Sequence, residues 1–381
     1  MQNPTCRLCT HGELDVTLTI PRAPRNIQNL LSQKDLARDT EIRLAVHTCR
    51  RCGFVQLLPV LDDTYYDDYV MATTHSPQMQ AYQQRQAAEF VSRFGLAGKK
   101  VIEVGCGDGN FLDHLKASGA EVYGIEPSSS FCKIALGRKH PVETGYVTAD
   151  RVLAHGPFDG FATRQVLEHV PEIHSFLTGI RRNLHNGARG LVEVPSLEKA
   201  LQDHRYFDFF TDHVNYFSLD TLRLALTLNG FEVLHVFHDM YDEYNVALVR
   251  AVSPPSLAGI QQASIDLAED LRAFVQDHHI QGRKVAVWGA GGKGLSVLAS
   301  AGIRDLDLLI DSDPHKQGRY TPVSHLLVQE PTPQNIQAMD AIIITAMAYR
   351  NEIEATLRSQ YGFQGQIAVL GHRLEFAKDI V

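Results

Sequence analysis

Four cysteines stand in two pairs, Cys6-Arg7-Leu8-Cys9 and Cys49-Arg50-Arg51-Cys52, about forty residues apart. Two residues between thiols let both reach one ion from a tight turn, and four thiolates satisfy the tetrahedral preference of Zn²⁺. Four protein ligands leave no open position, so the site expected from Cys6, Cys9, Cys49 and Cys52 is structural. A second constellation is Glu103-Val104-Gly105-Cys106-Gly107-Asp108-Gly109, which follows a β-branched run and opens a helical pattern. Glycines let backbone approach a ligand closely, and a helix start offers free N–H groups. Glu126 ends the next strand 21 residues after Gly105, where a carboxylate accepts the ribose hydroxyls of an adenosine ligand. Dinucleotides and S-adenosylmethionine share that arrangement. The G-x-G-x-G spacing and the anion at Glu103 favour the cationic sulfonium, because a carboxylate there repels a pyrophosphate.

A third motif, Gly289-x-Gly291-x-x-Gly294 with Asp311 seventeen residues on, satisfies the dinucleotide spacing. On spacing alone it would take NAD, and Lys293 would meet a phosphate at a helix start.

The elements that must position these groups are legible in outline. Residues 1 to about 60 lack helical periodicity, with a Pro/Asn loop expected between Pro21 and Asn29; a Tyr-rich stretch, Tyr65 to Tyr69, and a polar helix over Gln78–Phe94 follow. From Lys100 short apolar strands alternate with helices: strands at 101–104, 122–126, 158–163, 190–194, 231–238 and 246–250, helices at 173–184 and after Ser218. Such alternation implies a mainly parallel sheet covered on both faces. Ser253-Pro254-Pro255-Ser256 marks a boundary, after which an amphipathic helix over 260–277 leads into a second α/β unit with strands at 285–288, 308–311 and 341–345 and a helix from Leu295. The expected domains are 1–75, zinc-binding; 76–253, methyl-donor-binding; and 254–381, Rossmann-like.

Composition narrows the function classes. The 381 residues carry 36 Lys plus Arg against 44 Asp plus Glu, a net charge of −8 that disfavours general nucleic-acid binding. A zinc-containing nucleic-acid module is the competing class, supported only by Arg7, Arg50 and Arg51. No apolar run reaches the eighteen or so residues of a membrane span, and no signal-peptide core precedes Thr19, so a soluble cytoplasmic protein is expected.

The segment from Glu103 to Glu126 resembles the class I S-adenosylmethionine-dependent methyltransferases. That resemblance adds Pro127 and Gln165 to the expected cofactor-binding set of Glu103, Gly105, Cys106, Gly107, Gly109 and Glu126, with Gln165-Val166-Leu167-Glu168-His169-Val170 completing the pocket. Over almost the whole chain, the order of parts is similar to that of the sugar C-methyltransferases of deoxysugar pathways: a four-cysteine zinc domain, a class I methyltransferase domain and a C-terminal Rossmann-like domain with a GAGGKG-type loop. The resemblance implies a nucleotide-linked keto-deoxysugar acceptor, methylated on a carbon beside its ketone, and a C-terminal domain with no NAD-dependent step. In Phe210-Thr211-Asp212-His213-Val214-Asn215-Tyr216-Phe217-Ser218, His213 matches the family's catalytic histidine and Asp212 its glutamate, with Asp212 expected to orient the imidazole. His169 matches a second pocket histidine, and Tyr69 an N-terminal tyrosine. Histidine suits the base role because it is largely neutral at pH 7. Two departures fall on the acceptor side: Phe210 replaces a tyrosine, and Tyr241-Asp242-Glu243-Tyr244-Asn245 replaces a His-Gly-Gly-Ser run. They keep an O- or N-methyltransferase on another metabolite as the alternative.

Overall fold

The computed structural model describes residues 4–25, 27, 31, 33–34, 36–58, 76–253 and 255–376. The chain divides into two compact units, Met1–Pro254 and Pro255–Val381.

The first unit begins with β1 (Leu14–Pro24), β2 (Glu41–Cys49) and β3 (Val55–Leu57), an antiparallel set completed by β9 (Asn215–Tyr216) from far along the chain. β1 runs through the Pro21–Pro24 stretch expected as loop. Proline is tolerated there because β1 is the sheet's edge and bulges between Ile20 and Ala23, so no central ladder bond is lost.

Its larger sheet contains β4 (Lys100–Val104), β5 (Glu121–Glu126), β6 (Val142–Thr144), β7 (Phe158–Arg164), β8 (Leu184–Pro195), β10 (Phe231–Asp239) and β11 (Tyr244–Ala251). The order is β10-β11-β8-β7-β4-β5-β6. The five strands from β8 to β6 are parallel, and β11 inserts antiparallel beside β8. This is the class I methyltransferase arrangement. The order reverses between β4 and β7, and ligands of such sheets bind at the carboxyl ends of the strands flanking that reversal. Among the described residues six α-helices cover the unit: α1 (Pro77–Phe94), α2 (Asn110–Ala117), α3 (Ser129–Gly137), α4 (Ile173–Arg182), α5 (Leu197–Gln202) and α6 (Leu219–Leu228). Ser76 caps α1 ahead of Pro77, and Gly95 ends it in the left-handed conformation. Ser218 caps α6 by accepting from Thr221 N–H at 3.2 Å. α4 stops at Arg182, since Leu184 already belongs to β8.

Cys6, Leu8, Cys49 and Phe54 share one buried apolar cluster with Ile102, Phe161, Val192 and Phe217, so the cysteine knuckles are packed into the core of the large sheet.

The second unit opens with α7 (Ala258–Ile280). Its sheet comprises β12 (Val285–Trp288), β13 (Leu308–Ile310), β14 (Val328–Gln329), β15 (Ala341–Ile344), β16 (Gln366–Leu370) and β17 (Leu374–Phe376), in the order β14-β13-β12-β15-β16-β17. All pairs except the last are parallel, a Rossmann-like order, and β12 and β15 are buried along their whole length, as strands covered on both faces must be. Helices α8 (Gly292–Ser300), α9 (Pro333–Gln337) and α10 (Arg350–Ser359) complete it. Among the described residues no helix is long and apolar enough to cross a membrane.

Candidate active site

At the end of β4 the chain curls through Gly105, Gly107 and Gly109, all at positive φ, before α2 begins. A Cβ on Gly105 would lie 2.3 Å from Cγ2 of Val166, so this glycine is required by packing. At Gly107 a Cβ would meet nothing within 4 Å, which marks it as the open face of the curl. Glu126, at the end of β5, is buried and accepts from Gly107 N–H and Ser128 N–H, both at 2.9 Å. A carboxylate has about four acceptor positions, so two remain for a vicinal diol. Burial lifts Glu126 above the usual carboxylate range, opposed by these two N–H groups. Pro127 follows directly and leads into α3.

Glu103 is buried, and its Oε2 has no hydrogen-bond partner among the described residues. Burial drives its pKa well up, partly offset by Arg164. A buried acceptor left over beside a bare glycine curl is what the cationic end of S-adenosylmethionine requires, so these residues fit that cofactor. Cys106 is buried in the same curl.

Below the curl lies a charged network that the sequence did not reveal. Glu193 on β8 is fully buried; its Oε1 accepts from Arg164 at 2.8 Å and Gln165 at 3.2 Å, and its Oε2 from Tyr82 at 2.5 Å and Gln86 at 2.6 Å. Gln165 is therefore anchored, at φ 52, where β7 turns toward the pocket.

The two candidate histidines lie together. The rings of His169 and His213 are 4.7 Å apart edge to face, and Phe210 lies 4.1 Å from His213. His169 Nδ1 donates to the carbonyl of Asp212 at 2.9 Å, a contact that fixes its tautomer, because a carbonyl only accepts. The carboxylate of Asp212, expected on His213, has Oδ2 3.8 Å from His169 Nδ1. Burial lowers His169 to about 4 and takes His213 well below its ordinary value, with His169 adding to the latter, so both rings stay neutral at pH 7. Glu168, also buried, reaches within 4.0 Å of His169 Nε2. A cavity of about 130 Å³ opens over His213, Phe210, Tyr216 and Tyr244. Tyr69 lies outside the described residues.

The four cysteines converge. Cys6 and Cys52 Sγ are 3.7 Å apart, Cys9 and Cys49 Sγ 3.6 Å, and all four sulfurs lie within 4.8 Å of one another. A tetrahedron with Zn–S bonds of about 2.3 Å has S···S edges of about 3.8 Å, so the cluster fits one zinc ion. Between the knuckle cysteines, Arg7 Nη1 donates to Val214 O at 2.8 Å, Val214 N–H to Glu168 O at 2.9 Å, and Asn215 Nδ2 to Leu167 O at 3.0 Å and Val170 O at 2.7 Å. The knuckle, the His213 segment and the His169 turn are thus one hydrogen-bonded assembly.

In the second unit, Asp311 accepts from Ala290 N–H at 2.8 Å and from Lys316 Nζ at 2.9 Å, beside a cavity of about 460 Å³ lined by the Gly289–Gly294 loop. The carboxylate that would grip a dinucleotide diol is held by a lysine.

Comparison with known proteins assigns both units. Residues 79–236 match the family model of a methyltransferase domain, and residues 253–370 that of a C-methyltransferase C-terminal domain. The C-methyltransferase NovU of Streptomyces niveus is 25% identical, with 91% of this chain and 90% of that protein aligned. A methyltransferase domain followed by a C-methyltransferase C-terminal domain makes the chain a methyltransferase. The methyltransferase is also 33% identical over 105 residues to a ubiquinone biosynthesis O-methyltransferase of Pseudomonas aeruginosa, spanning 26% of this chain and 44% of that one. Among solved structures, a magnesium protoporphyrin IX methyltransferase from Synechocystis with bound SAH aligns at 18% identity and TM-score 0.38, over 45% of this chain and 83% of that one.

Proposed function

We propose that this C-methyltransferase moves a methyl group from S-adenosylmethionine to a carbon beside the ketone of a nucleotide-linked keto-deoxysugar, with His213 as the base. The observation that carries the reading is the neutral pair His169–His213 at a cavity in the same unit as a donor cradle. A carbon acid beside a ketone is not nucleophilic until deprotonated, and a buried imidazole held neutral is poised to remove that proton.

Bound S-adenosylmethionine supplies an electrophilic methyl on sulfur. Glu126 takes the ribose hydroxyls, the open backbone at Gly107 admits the nucleoside, and Glu103 offers its unpartnered oxygen to the ammonium or sulfonium end. An imidazole nitrogen of His213 takes the α-proton and the C–H electron pair becomes the enolate, whose carbon would bond to the sulfonium methyl as the methyl–sulfur bond breaks and S-adenosylhomocysteine leaves as the neutral thioether. His169, fixed through Asp212, packs its ring on His213 and holds that ring in place. Zinc held by Cys6, Cys9, Cys49 and Cys52 would keep the knuckle rigid.

The test uses zinc-loaded protein with a nucleoside-diphosphate 4-keto-6-deoxyhexose in D₂O. Wild type exchanges the α-proton for deuterium and, with S-adenosylmethionine, installs a methyl that NMR places on carbon; His213→Ala loses both. Exchange surviving in His213→Ala removes the base assignment, and a new O- or N-methyl signal establishes the alternative chemistry.

A further inference from the structure

An α-deprotonation needs a partner for the oxygen as well as a base for the carbon. Without a donor at the developing enolate oxygen, the negative charge would form in a cavity that burial has made poor at solvating it. In this chain the expected tyrosine is Phe210, which has no hydrogen to give. The donors that line the cavity are Ser196, Arg205, His213, Asn215, Tyr216 and Tyr244.

Most of them are already engaged. Arg205 makes paired contacts to Asp208 and Glu243, with Nη1 and Nη2 both 2.8 Å from Glu243 oxygens and Nη2 2.7 Å from Asp208. The Asn215 amide spans two carbonyls of the His169 turn. The Tyr216 hydroxyl accepts from Phe210 N–H at 3.1 Å and faces Phe210 O at 3.4 Å. Ser196 caps α5 and contacts Glu198. His213 is the base.

Tyr244 differs. Among the described residues its hydroxyl makes no hydrogen bond, although the ring is packed against the core and stacks on Tyr82 with centroids 6.0 Å apart. Its place at the first residue of β11, paired with Pro195 of β8, fixes the ring at the carboxyl end of β8, the end where ligands of such a sheet bind. We propose that Tyr244 is a catalytic residue of this methyltransferase, donating its phenolic hydrogen to the enolate oxygen in the role that Phe210 cannot fill. The inference rests on the enolate reading above. Burial, reinforced by Glu193, raises the phenol to about 12, so it remains a donor throughout the working range. The proton stays on the tyrosine oxygen: the distance between the phenol oxygen and the oxyanion shortens, the O–H bond does not break, and His213 keeps the α-proton until the product leaves.

The experiment measures deuterium exchange into the same keto-sugar nucleotide, with S-adenosylhomocysteine affinity by calorimetry alongside. Tyr244→Phe is expected to slow exchange about 100-fold, the usual loss for one oxyanion donor, with the S-adenosylhomocysteine Kd within twofold of wild type. The double variant Phe210→Tyr with Tyr244→Phe is expected to regain at least tenfold, because it returns a phenol to a ring 4.1 Å from His213. Tyr320→Phe, at an exposed tyrosine of the second unit, serves as the control and is expected to exchange at the wild-type rate. Exchange within threefold of wild type in Tyr244→Phe overturns the assignment, as does an equal loss in Tyr320→Phe. A loss of exchange in Tyr244→Phe matched by an equal loss of S-adenosylhomocysteine affinity also overturns it, since that is general damage. No exchange by wild type sinks the parent reading and this one with it, whereas equal exchange by wild type and Tyr244→Phe sinks this one alone.

Discussion

Gly105 and Gly107 sit two residues apart in one curl, both at positive φ, yet the structure gives them opposite duties. Replacing either with alanine forces an L side chain into the left-handed region, at roughly 1–2 kcal/mol, of which about 0.4–1 kcal/mol returns through the stiffer unfolded chain. At Gly107 nothing else is lost, because the new Cβ meets no atom within 4 Å. At Gly105 the Cβ falls 2.3 Å from Val166 Cγ2, and a β-branched neighbour cannot swing aside freely. Overpacking of that kind adds about 1–3 kcal/mol. Gly105→Ala should therefore lose about 2–4 kcal/mol of stability and Gly107→Ala about 1 kcal/mol or less. Urea denaturation of the first unit's transition measures the difference. Calorimetry with S-adenosylhomocysteine should reverse the order per unit of damage. Gly107→Ala, still folded, should bind at least tenfold more weakly, a change of about 1.4 kcal/mol, because its methyl occupies the approach to the Gly107–Glu126 contact. Wild-type affinity in a well-folded Gly107→Ala would show that the open side of the curl does not face the nucleoside, and the donor site would have to be sought elsewhere.

Two more expectations follow from buried groups. Lowering His169 from 6.5 to about 4 means that the unfolded chain binds more protons between those values, so stability is present above pH 6.5 and is lost as pH falls toward 4. From pH 6.5 to 5.5 this one group should withdraw about 1 kcal/mol, and the difference between wild type and His169→Gln in chemical denaturation over that interval measures it; identical slopes would contradict the burial. Glu193→Leu removes the shared acceptor of Arg164, Gln165, Tyr82 and Gln86 and strands a buried guanidinium. It should cost about 3–5 kcal/mol, and a midpoint shift smaller than that of an exposed Glu→Leu control, such as Glu352→Leu, would show that the network relaxes.

The sequence exposed those parts of the molecule that repeat a local pattern. Strands such as Val101–Val104 and Val285–Trp288 announce themselves through β-branched runs, and the glycine curl with Glu126 obeys a fixed spacing. The cysteine spacing pointed to a convergence that the sulfur distances reproduce. Long-range pairings left no such trace. β9 is two residues long and exists only because β3 lies beside it. Glu193 looked like one polar residue in an apolar strand, and nothing local says that residues 82, 86, 164 and 165 converge on it. The backbone carbonyl of Asp212 holds His169, forty-three residues earlier, a pairing that adjacency in the sequence does not show. Tyr244 stands two residues past a hairpin tip in which Met240, Tyr241 and Asp242 all take positive φ, a turn that no glycine or proline announces.

The small sheet closes on a strand borrowed from the far side of the chain, and that has a bearing on how this protein can be taken apart. A cut between residues 58 and 76 would leave an amino-terminal fragment with one ladder open at β3 and a carboxyl-terminal fragment whose residues 215–216 have no mate. Neither piece is a self-contained cassette. Swapping leading segments between relatives would have to preserve the Arg7-to-Val214 clasp as well as the cysteines, whereas mixing the two severed halves in one tube offers each the surface it lacks.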